Sequence, residues 1–234
     1  MTNREHNHQL HTDILLCASQ NSRELKCYLS SGLADQGVAV LRNEWDEYAE
    51  GWDVDPSVKE YASKAFAELS NVINTDGLSV FDFGCGTGAL TQLLSPGVKD
   101  IVALDGSSEM IKVLAKKNLS NVSTISGFLT QDLIDSHPDL AKKFDLIVAS
   151  SVCGFLPDYE GALRLLTSLL KPGGVFIQWD WLSNDDSSEI GLSENRVLRA
   201  LKANELVDIQ VTNPFAMNSS KGTMEVLMAV GKNA

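Results

Sequence analysis

The sequence predicts an α/β fold of the doubly wound kind, built around one seven-stranded sheet that is mostly parallel. Seven short apolar runs recur along the chain, and most are separated by segments whose apolar residues have helical spacing. A glycine cluster follows the first run directly, as a tight turn follows a buried parallel strand. The last two runs are joined by a short polar loop alone, which predicts an antiparallel C-terminal hairpin.

Predicted strands alternate with predicted helices through the middle of the chain, as βαβ units require. We predict strands at Leu78–Phe83, Ile101–Asp105, Val122–Ser126, Phe144–Ser150, Val175–Trp181, Val207–Val211 and Met224–Val230. The predicted helices are Pro56–Ile73, Ala89–Leu94, Ser107–Lys117, Tyr159–Leu170 and Ser193–Asn204. Because the strands are nearly continuous apolar runs, we expect helices on both faces of the sheet.

The chain is expected to consist of an N-terminal extension and one main domain. Its 234 residues are 44% hydrophobic and 21% charged, a composition typical of a globular protein with a single core. We expect residues 1–40 to form an extension that is partly helical or disordered, with a helical stretch near Asp13–Leu33. Residues 41–234 are then the main domain.

Composition argues against several classes of protein. No apolar run reaches the roughly 18 residues of a membrane span, and the polar start lacks the apolar segment of a signal peptide, so we expect a cytoplasmic protein without membrane contact. A formal charge of -12 repels polyanions, which argues against nucleic acid as the ligand. We predict no metal site, since the four cysteines form no CxxC pair and His6, His8 and His11 lie in a polar terminal segment.

The most informative stretch is FDFGCGTGAL, in which Gly84, Gly86 and Gly88 lie between a predicted strand and a predicted helix. Glycines there let the backbone turn sharply and approach a ligand closely, while the helix N-terminus offers free N–H groups. This pattern alone leaves two ligands open. Gly84, Gly86 and Ala89 also satisfy the dinucleotide fingerprint, and Asp105 lies about 20 residues on, where an acid that binds ribose is expected.

A wider set of residues resembles the class I S-adenosylmethionine-dependent methyltransferases of the small-molecule type, over roughly Trp45 to the C-terminus. Asp82 stands two residues before Gly84, where that family has an acid near the methionine amino group of its cofactor. FDLIVASSVCGFLPD and LLKPGGVFIQ resemble the family's fourth strand and the turn into its fifth. The resemblance implies a Rossmann-like fold and S-adenosylmethionine as the cofactor, because a pyrophosphate has no need of an acid at Asp82.

The resemblance also implies roles for individual residues. Asp105 would accept hydrogen bonds from both ribose hydroxyls, since a carboxylate offers two acceptor oxygens. Met110 would pack on the adenine, and Gly127-Phe128-Leu129 replaces the acid that many members use to hold the adenine amino group, although Gln131 or Asp132 could still reach it. The implied cofactor-binding residues are Asp82, Gly84, Cys85, Gly86, Gly88, Asp105, Gly106, Met110, Phe128, Leu129 and Ser150.

The segment WDEYAEGWD, residues 45–53, resembles the aromatic and acidic lid that precedes the core in small-molecule methyltransferases. We therefore place a lid at about residues 41–73. The alternative is an amphipathic helix that buries its aromatic side chains in the core, and both interpretations stay open. As residues that contact the methyl acceptor we name Tyr48, Trp52, Phe155 and Asp180; the alternative for Asp180, at the end of the fifth strand, is a carboxylate bonded to a loop.

We assign no catalytic residue. Many family members have histidine after the fourth strand, whereas this chain has Cys153-Gly154-Phe155. In-line displacement at a sulfonium methyl group depends on alignment of the reactants, worth about 7 to 11 kcal/mol in a near-attack geometry, so a general base is optional. The predicted function is methyl transfer to a small molecule; the alternatives are a non-catalytic regulatory protein that binds S-adenosylmethionine and a nicotinamide-dependent oxidoreductase.

Overall fold

A computed structural model describes residues 45–186, 191–219 and 222–234. Its strands are β1 Ser79–Phe83, β2 Asp100–Asp105, β3 Val122–Ser126, β4 Phe144–Ser150, β5 Leu170–Trp181, β6 Val207–Ser219 and β7 Gly222–Lys232. Its helices are α1 Pro56–Val72, α2 Ala89–Leu94, α3 Ser108–Lys116, α4 Gln131–Ser136, α5 Tyr159–Ser168 and α6 Glu194–Ala203, preceded by a helical segment at 45–52. The predicted extension 1–40, with its three histidines, lies outside the described residues.

The strands form one seven-stranded sheet in the order β3-β2-β1-β4-β5-β7-β6. Neighbouring strands from β1 to β5 pair in parallel, while β7 runs antiparallel to both β5 and β6. The predicted fold class is therefore confirmed, including the C-terminal hairpin. All five residues of β1 are buried because this strand lies between two neighbours and under helices on both sides.

Helices cover the sheet on both faces, and each face has its own core. Apolar residues of α1, α2 and α3 pack on one face, while those of α5 and α6, with partly buried residues of α4, pack on the other. Ala65 and Leu69 of α1 have no exposed surface, so this helix is a fixed part of the core. It begins at Pro56, and the Asp55 carboxylate accepts a hydrogen bond from the Ser57 N–H as its N-cap.

Three elements differ from the sequence expectation: the helix α4 and the strands β5 and β6, of which β6 ends at Ser219 rather than at Val211. The helix α4 was not predicted because it has only six residues and none of them is buried, so it lacks an apolar period. The strand β5 begins at Leu170 rather than Val175, and the pairing with β4 shifts register between Phe144 and Leu146. The turn residues Lys171-Pro172-Gly173-Gly174 form that irregularity, with Gly173 at a φ of 75°.

The topology places a crevice at the carboxyl ends of the central strands β1 and β4. From β1 the chain moves outward through β2 and β3, and it then returns to place β4 on the other side of β1. The loops that follow β1 and β4 consequently diverge at the carboxyl ends of these strands. In open α/β sheets this switch point is where ligands bind.

Candidate functional site

A cavity of about 620 Å³ opens at this switch point, which is within the range of roughly 300 to 1,000 Å³ that is usual for small-molecule sites. Its walls come from the carboxyl ends of the strands, from α1 and α5, and from segment 45–52. Of the residues named from the sequence, those that line it are Trp52, Asp82, Gly84, Cys85, Gly86, Asp105, Gly106, Met110, Phe128, Leu129, Ser150 and Phe155. Tyr48, Gly88 and Asp180 do not line it.

Three glycines after β1 adopt left-handed conformations, with φ values of 71° at Gly84, 54° at Gly86 and 84° at Gly88. A β-carbon on Gly84 would lie 2.4 Å from a methyl group of Val152, so the loop packs directly on the segment after β4. A β-carbon on Gly88 would lie 2.3 Å from a methyl group of Leu114. Gly88 thus serves the packing of α2 against α3.

Around Gly86 the space is open toward the cavity. A β-carbon there would meet nothing closer than the indole nitrogen of Trp52, at 3.8 Å. The exposed backbone of the loop is therefore available to a ligand. The N–H of Gly86 donates to the Asp105 carboxylate at 2.8 Å.

Asp105 ends β2 and holds the loops on either side of it. One carboxylate oxygen accepts from the Gly86 N–H and the other from the Ser107 N–H, both at 2.8 Å. Burial raises the pKa of Asp105, these two hydrogen bonds lower it, and the neighbouring Asp46 carboxylate raises it further. Each carboxylate oxygen has a further lone pair, so two acceptor positions stay open for a vicinal diol.

Asp82 lies on β1 and is 1% exposed. One of its oxygens accepts from the Thr91 hydroxyl at 2.6 Å, while the other is buried and has no hydrogen-bond partner among the described residues. Burial raises the pKa of this carboxyl to about 7, and the Asp105 charge raises it as well. A buried, unpartnered carboxylate oxygen on a cavity wall indicates a place where a ligand donor belongs.

The opposite end of the cavity is apolar. Phe128 lies on Gly106, where a β-carbon would come within 2.9 Å of the phenyl ring. Met110, Phe128 and Leu129 line this end together with Gln131, whereas Asp132 is not part of the lining. These surroundings suit a flat, weakly polar group such as a nucleobase.

An aromatic cluster lines the part of the cavity next to segment 45–52, which we call its mouth. The ring of Trp45 lies edge-on to Trp52 at 5.9 Å and to Phe155 at 5.6 Å between centroids, and all three rings line the cavity. Trp45 and Trp52 are half-buried. The ring centroid of Tyr48 lies 6.3 Å from that of Trp45, but Tyr48 does not line the cavity.

Two carboxylates fasten segment 45–52 and the turn after it to the glycine loop and α3. Asp46 accepts from the Ser107 hydroxyl at 2.5 Å and from the Glu109 N–H at 3.2 Å, at the N-terminus of α3. Asp53 accepts from the Thr87 hydroxyl at 2.5 Å and forms an ion pair with Lys117 at 2.7 Å. The closed position of the segment therefore depends on polar contacts as well as on its rings.

A model of the family described as methyltransferase domain matches residues 54–214, which is more than half of the chain. The chain belongs to this methyltransferase family. The matched range contains the glycine loop, both acids and β4, so it covers the cavity apart from segment 45–52.

Curated relatives of this methyltransferase domain match it over part of their length. The chain is 30% identical over 141 residues to an uncharacterized methyltransferase of Schizosaccharomyces pombe, with 56% of this chain and 50% of that protein covered. It is 27% identical over 169 residues to a malonyl-[acyl-carrier protein] O-methyltransferase of Acetivibrio thermocellus, with 71% and 57% covered. A ubiquinone biosynthesis O-methyltransferase of Xanthomonas axonopodis pv. citri is 28% identical over 139 residues, with 58% and 55% covered. The matches span little more than half of these relatives.

Solved structures share the fold of this methyltransferase domain. The DhpI–SAH complex superposes with a TM-score of 0.62 at 23% identity, covering 84% of this chain and 97% of that one. A SAM-dependent methyltransferase from Aquifex aeolicus gives a TM-score of 0.59 at 20% identity, covering 81% of this chain and 98% of that one.

Among the helices described for this methyltransferase domain, none has the length and apolar character to cross a membrane. Its described His, Cys, Asp and Glu residues form no cluster of three or more that could hold a metal ion.

Asp180 of the methyltransferase domain is 1% exposed and points away from the cavity into a buried network. Its carboxylate accepts from the Gly154 N–H at 2.8 Å and from the Gln178 amide at 3.0 Å, and the Tyr159 hydroxyl donates to the same Gln178 at 2.8 Å. Burial raises the pKa of Asp180 to about 8. Asp180 thereby holds the turn Cys153–Phe155 in place. This arrangement matches the alternative left open by the sequence, a carboxylate at the strand end that is bonded to a loop.

Several cavity residues of the methyltransferase domain were not named from its sequence. Tyr61 of α1 and Ser151 after β4 both line the cavity, and so does Arg164 of α5. The helical spacing of residues 56–73 predicts a helix and carries no information on where the Tyr61 hydroxyl lies. Ser151 could have been found only as the neighbour of Ser150.

Proposed function

We propose that this chain transfers a methyl group from S-adenosylmethionine to a small-molecule acceptor by in-line displacement. The observation that carries the proposal is the unpartnered, buried oxygen of Asp82 on the wall that also contains Gly86 and Asp105. A protonated amino group supplies the donors that this oxygen lacks, whereas a dinucleotide pyrophosphate would bring a second negative charge beside it. Membership in the methyltransferase family supports the same conclusion.

The residues present fit this cofactor along the whole cavity. Asp82 would bind the methionine ammonium group, Asp105 the ribose hydroxyls, and Met110 and Phe128 would pack on the adenine. When bound, the cofactor supplies an electrophilic methyl carbon: an acceptor lone pair forms the new bond while the carbon–sulfur bond breaks and leaves its electron pair on sulfur.

The contribution of the protein is alignment and the exclusion of water. Segment 45–52 and the rings of Trp45, Trp52 and Phe155 would cover the reacting atoms, and such ordering contributes about 7 to 11 kcal/mol in a near-attack geometry. Burial raises the pKa of the Cys85 and Cys153 thiols, so neither offers a thiolate nucleophile. An acceptor that releases a proton would give it to solvent after transfer.

The proposed domain spans residues 41–234. Of the range 41–73 that the sequence assigned to a lid, segment 45–52 has its rings on the cavity, whereas α1 is fixed in the core and is not part of a movable lid. A small acceptor is supported by the mouth that aromatic rings enclose and by the net charge of -12. The name of one relative, a ubiquinone biosynthesis O-methyltransferase, fits an acceptor of that kind.

The test is calorimetric binding of S-adenosylhomocysteine, S-adenosylmethionine and NAD, followed by labelled methyl transfer to a panel of small metabolites. We expect micromolar dissociation constants for both sulfur ligands, roughly -8 kcal/mol, and no binding of NAD. Binding of NAD alone would assign the glycine loop to a dinucleotide. Tight binding without transfer to any metabolite would favour the non-catalytic alternative.

A further inference from the structure

We propose that the hydroxyl groups of Tyr61 and Ser151 form a charge-neutral subsite for the carboxylate at the methionine end of the cofactor. The inference rests on the proposed function and extends it to two residues that the sequence did not single out. Together with Asp82, these hydroxyls would hold both charged groups of an amino acid.

Both hydroxyl groups are buried without a hydrogen-bond partner. The Tyr61 oxygen and the Ser151 oxygen have no accessible surface and no partner among the described residues, although both residues line the cavity. The Ser151 hydroxyl is close enough to lower the pKa of Tyr61, yet the two form no well-aligned hydrogen bond with each other. Since buried polar groups are nearly always paired in folded proteins, these two donors indicate a ligand acceptor between them.

Each hydroxyl is held by a rigid framework. The ring of Tyr61 lies edge-on to Trp181 and to Phe215, with centroids 5.5 Å apart in both cases. Ser151 has a φ of 55°, a conformation that is costly for a residue other than glycine, and its N–H donates to the Trp179 carbonyl at 2.7 Å. Strained backbone that the surrounding structure maintains is concentrated at ligand sites.

The strand order places the hydroxyls at the correct end of the cofactor. Asp105 ends β2, Asp82 lies on the adjacent β1, Ser151 follows β4, and Tyr61 packs on the end of β5. Neighbouring strands are roughly 4.8 Å apart, so the hydroxyl pair lies about 10 Å or more across the sheet from Asp105. With ribose at Asp105, the methionine end would extend toward β4, and Asp82 on the intervening β1 would hold its ammonium group.

No described residue brings a positive charge to the subsite. Among the described residues that line the cavity, Arg164 alone is a cation, and it is an exposed residue of α5. Burial and the Asp180 charge raise the pKa of Tyr61 well above its ordinary value, so the phenol stays protonated and can act as a donor. The zwitterion would therefore be held by the Asp82 carboxylate at its ammonium group and by two neutral hydroxyl donors at its carboxylate.

The test compares two probes by calorimetry: S-adenosylhomocysteine, which has the amino acid end, and 5′-methylthioadenosine, which lacks it. We expect Tyr61→Phe and Ser151→Ala each to weaken S-adenosylhomocysteine at least fivefold, with methylthioadenosine changed less than twofold. The melting temperature should not fall in either variant, because neither hydroxyl has a partner to lose in the protein.

A matched control is Ser79→Ala at the far end of the sheet, which removes a buried hydroxyl that donates to Asp100 at 2.6 Å. It should lower the melting temperature and leave the affinity of both probes unchanged. Equal losses for both probes in Tyr61→Phe, or no loss for either, would overturn the subsite while the proposed function stands. Failure of the unmodified protein to bind either probe would overturn the proposed function itself.

Discussion

The two ends of the cavity are prepared for a ligand in different ways. At the β2 end, both oxygens of Asp105 already accept hydrogen bonds from the backbone, and the loops are held in place before a ligand arrives. At the β4 end, one oxygen of Asp82 and the hydroxyls of Tyr61 and Ser151 have no partner. The first end is completed by the protein, whereas the second is completed by what binds there.

This difference has an energetic meaning. Each buried polar group without a partner costs about 1 to 3 kcal/mol, and a ligand that supplies the partner recovers that cost on binding. The β2 end therefore provides a preorganised anchor, and the β4 end provides discrimination between ligands with and without the matching groups.

The largest effect is expected at the anchor. Asp105→Ala should weaken S-adenosylhomocysteine at least tenfold by calorimetry, because two ribose hydroxyls lose a charged acceptor at about 1.5 to 3 kcal/mol each. The same change leaves the N–H groups of Gly86 and Ser107 without an acceptor, so the melting temperature should fall as well.

Asp145→Ala is the matched control for that anchor. Its carboxylate also accepts a backbone N–H, from Ser79 at 2.9 Å, but at the opposite end of the sheet. This variant should lose stability and keep its affinity. Equal affinities in Asp105→Ala and the unmodified protein would contradict the assignment of ribose to Asp105.

An intermediate effect is expected from pH at the β4 end. Asp82 has a pKa raised to about 7 by burial, and it binds an ammonium group only when ionised. The affinity for S-adenosylhomocysteine should therefore rise roughly tenfold between pH 6 and pH 8, whereas methylthioadenosine should show no such rise. Asp82→Asn should abolish the rise, and a rise that persisted in this variant would have to come from another group.

The same ionisation acts on folding with the opposite sign. Because the folded-state pKa of Asp82 lies above the unfolded value of about 3.9, its contribution to stability is full below that value and is lost as the pH rises to about 7. Ligand affinity and the stability of the free protein should thus move in opposite directions over this range.

The smallest effect on ligand affinity is expected from the aromatic rings at the mouth of the cavity. Trp52→Ala should weaken S-adenosylhomocysteine several-fold with little change in melting temperature, since the ring is half-buried over the cavity. Trp179→Ala is the contrasting variant, because that ring has no exposed surface and its truncation costs about 3 to 5 kcal/mol. If Trp52→Ala lost stability to the same degree and kept its affinity, Trp52 would be a core residue.

Gly84, Gly86, Asp82 and Asp105 were named from the sequence as cofactor-binding residues, whereas Tyr61 and Ser151 were not. Gly84, Gly86 and Asp105 are recognisable because loop conformation and strand ends depend on residues that are near in sequence. The position of Asp180 at a strand end left a ligand contact and a bond to a loop both open, and only the folded structure shows that it accepts a hydrogen bond from the Gly154 N–H, 26 residues away along the chain. Likewise, apolar spacing predicted the helix α1, and only the folded structure shows that the Tyr61 ring packs against Trp181 of β5 and Phe215 of β6.

The carboxylates that hold segment 45–52 in place have a consequence for how long a ligand stays bound. Asp46 and Asp53 hold the closed segment through hydrogen bonds and through one ion pair with Lys117, whose side chain is 15% exposed and that of Asp53 34%. Breaking these contacts would uncover more of the cavity, and dissolved salt weakens a partly exposed ion pair. We therefore expect higher ionic strength to shorten the time that a ligand stays bound, without any change in the residues that touch it.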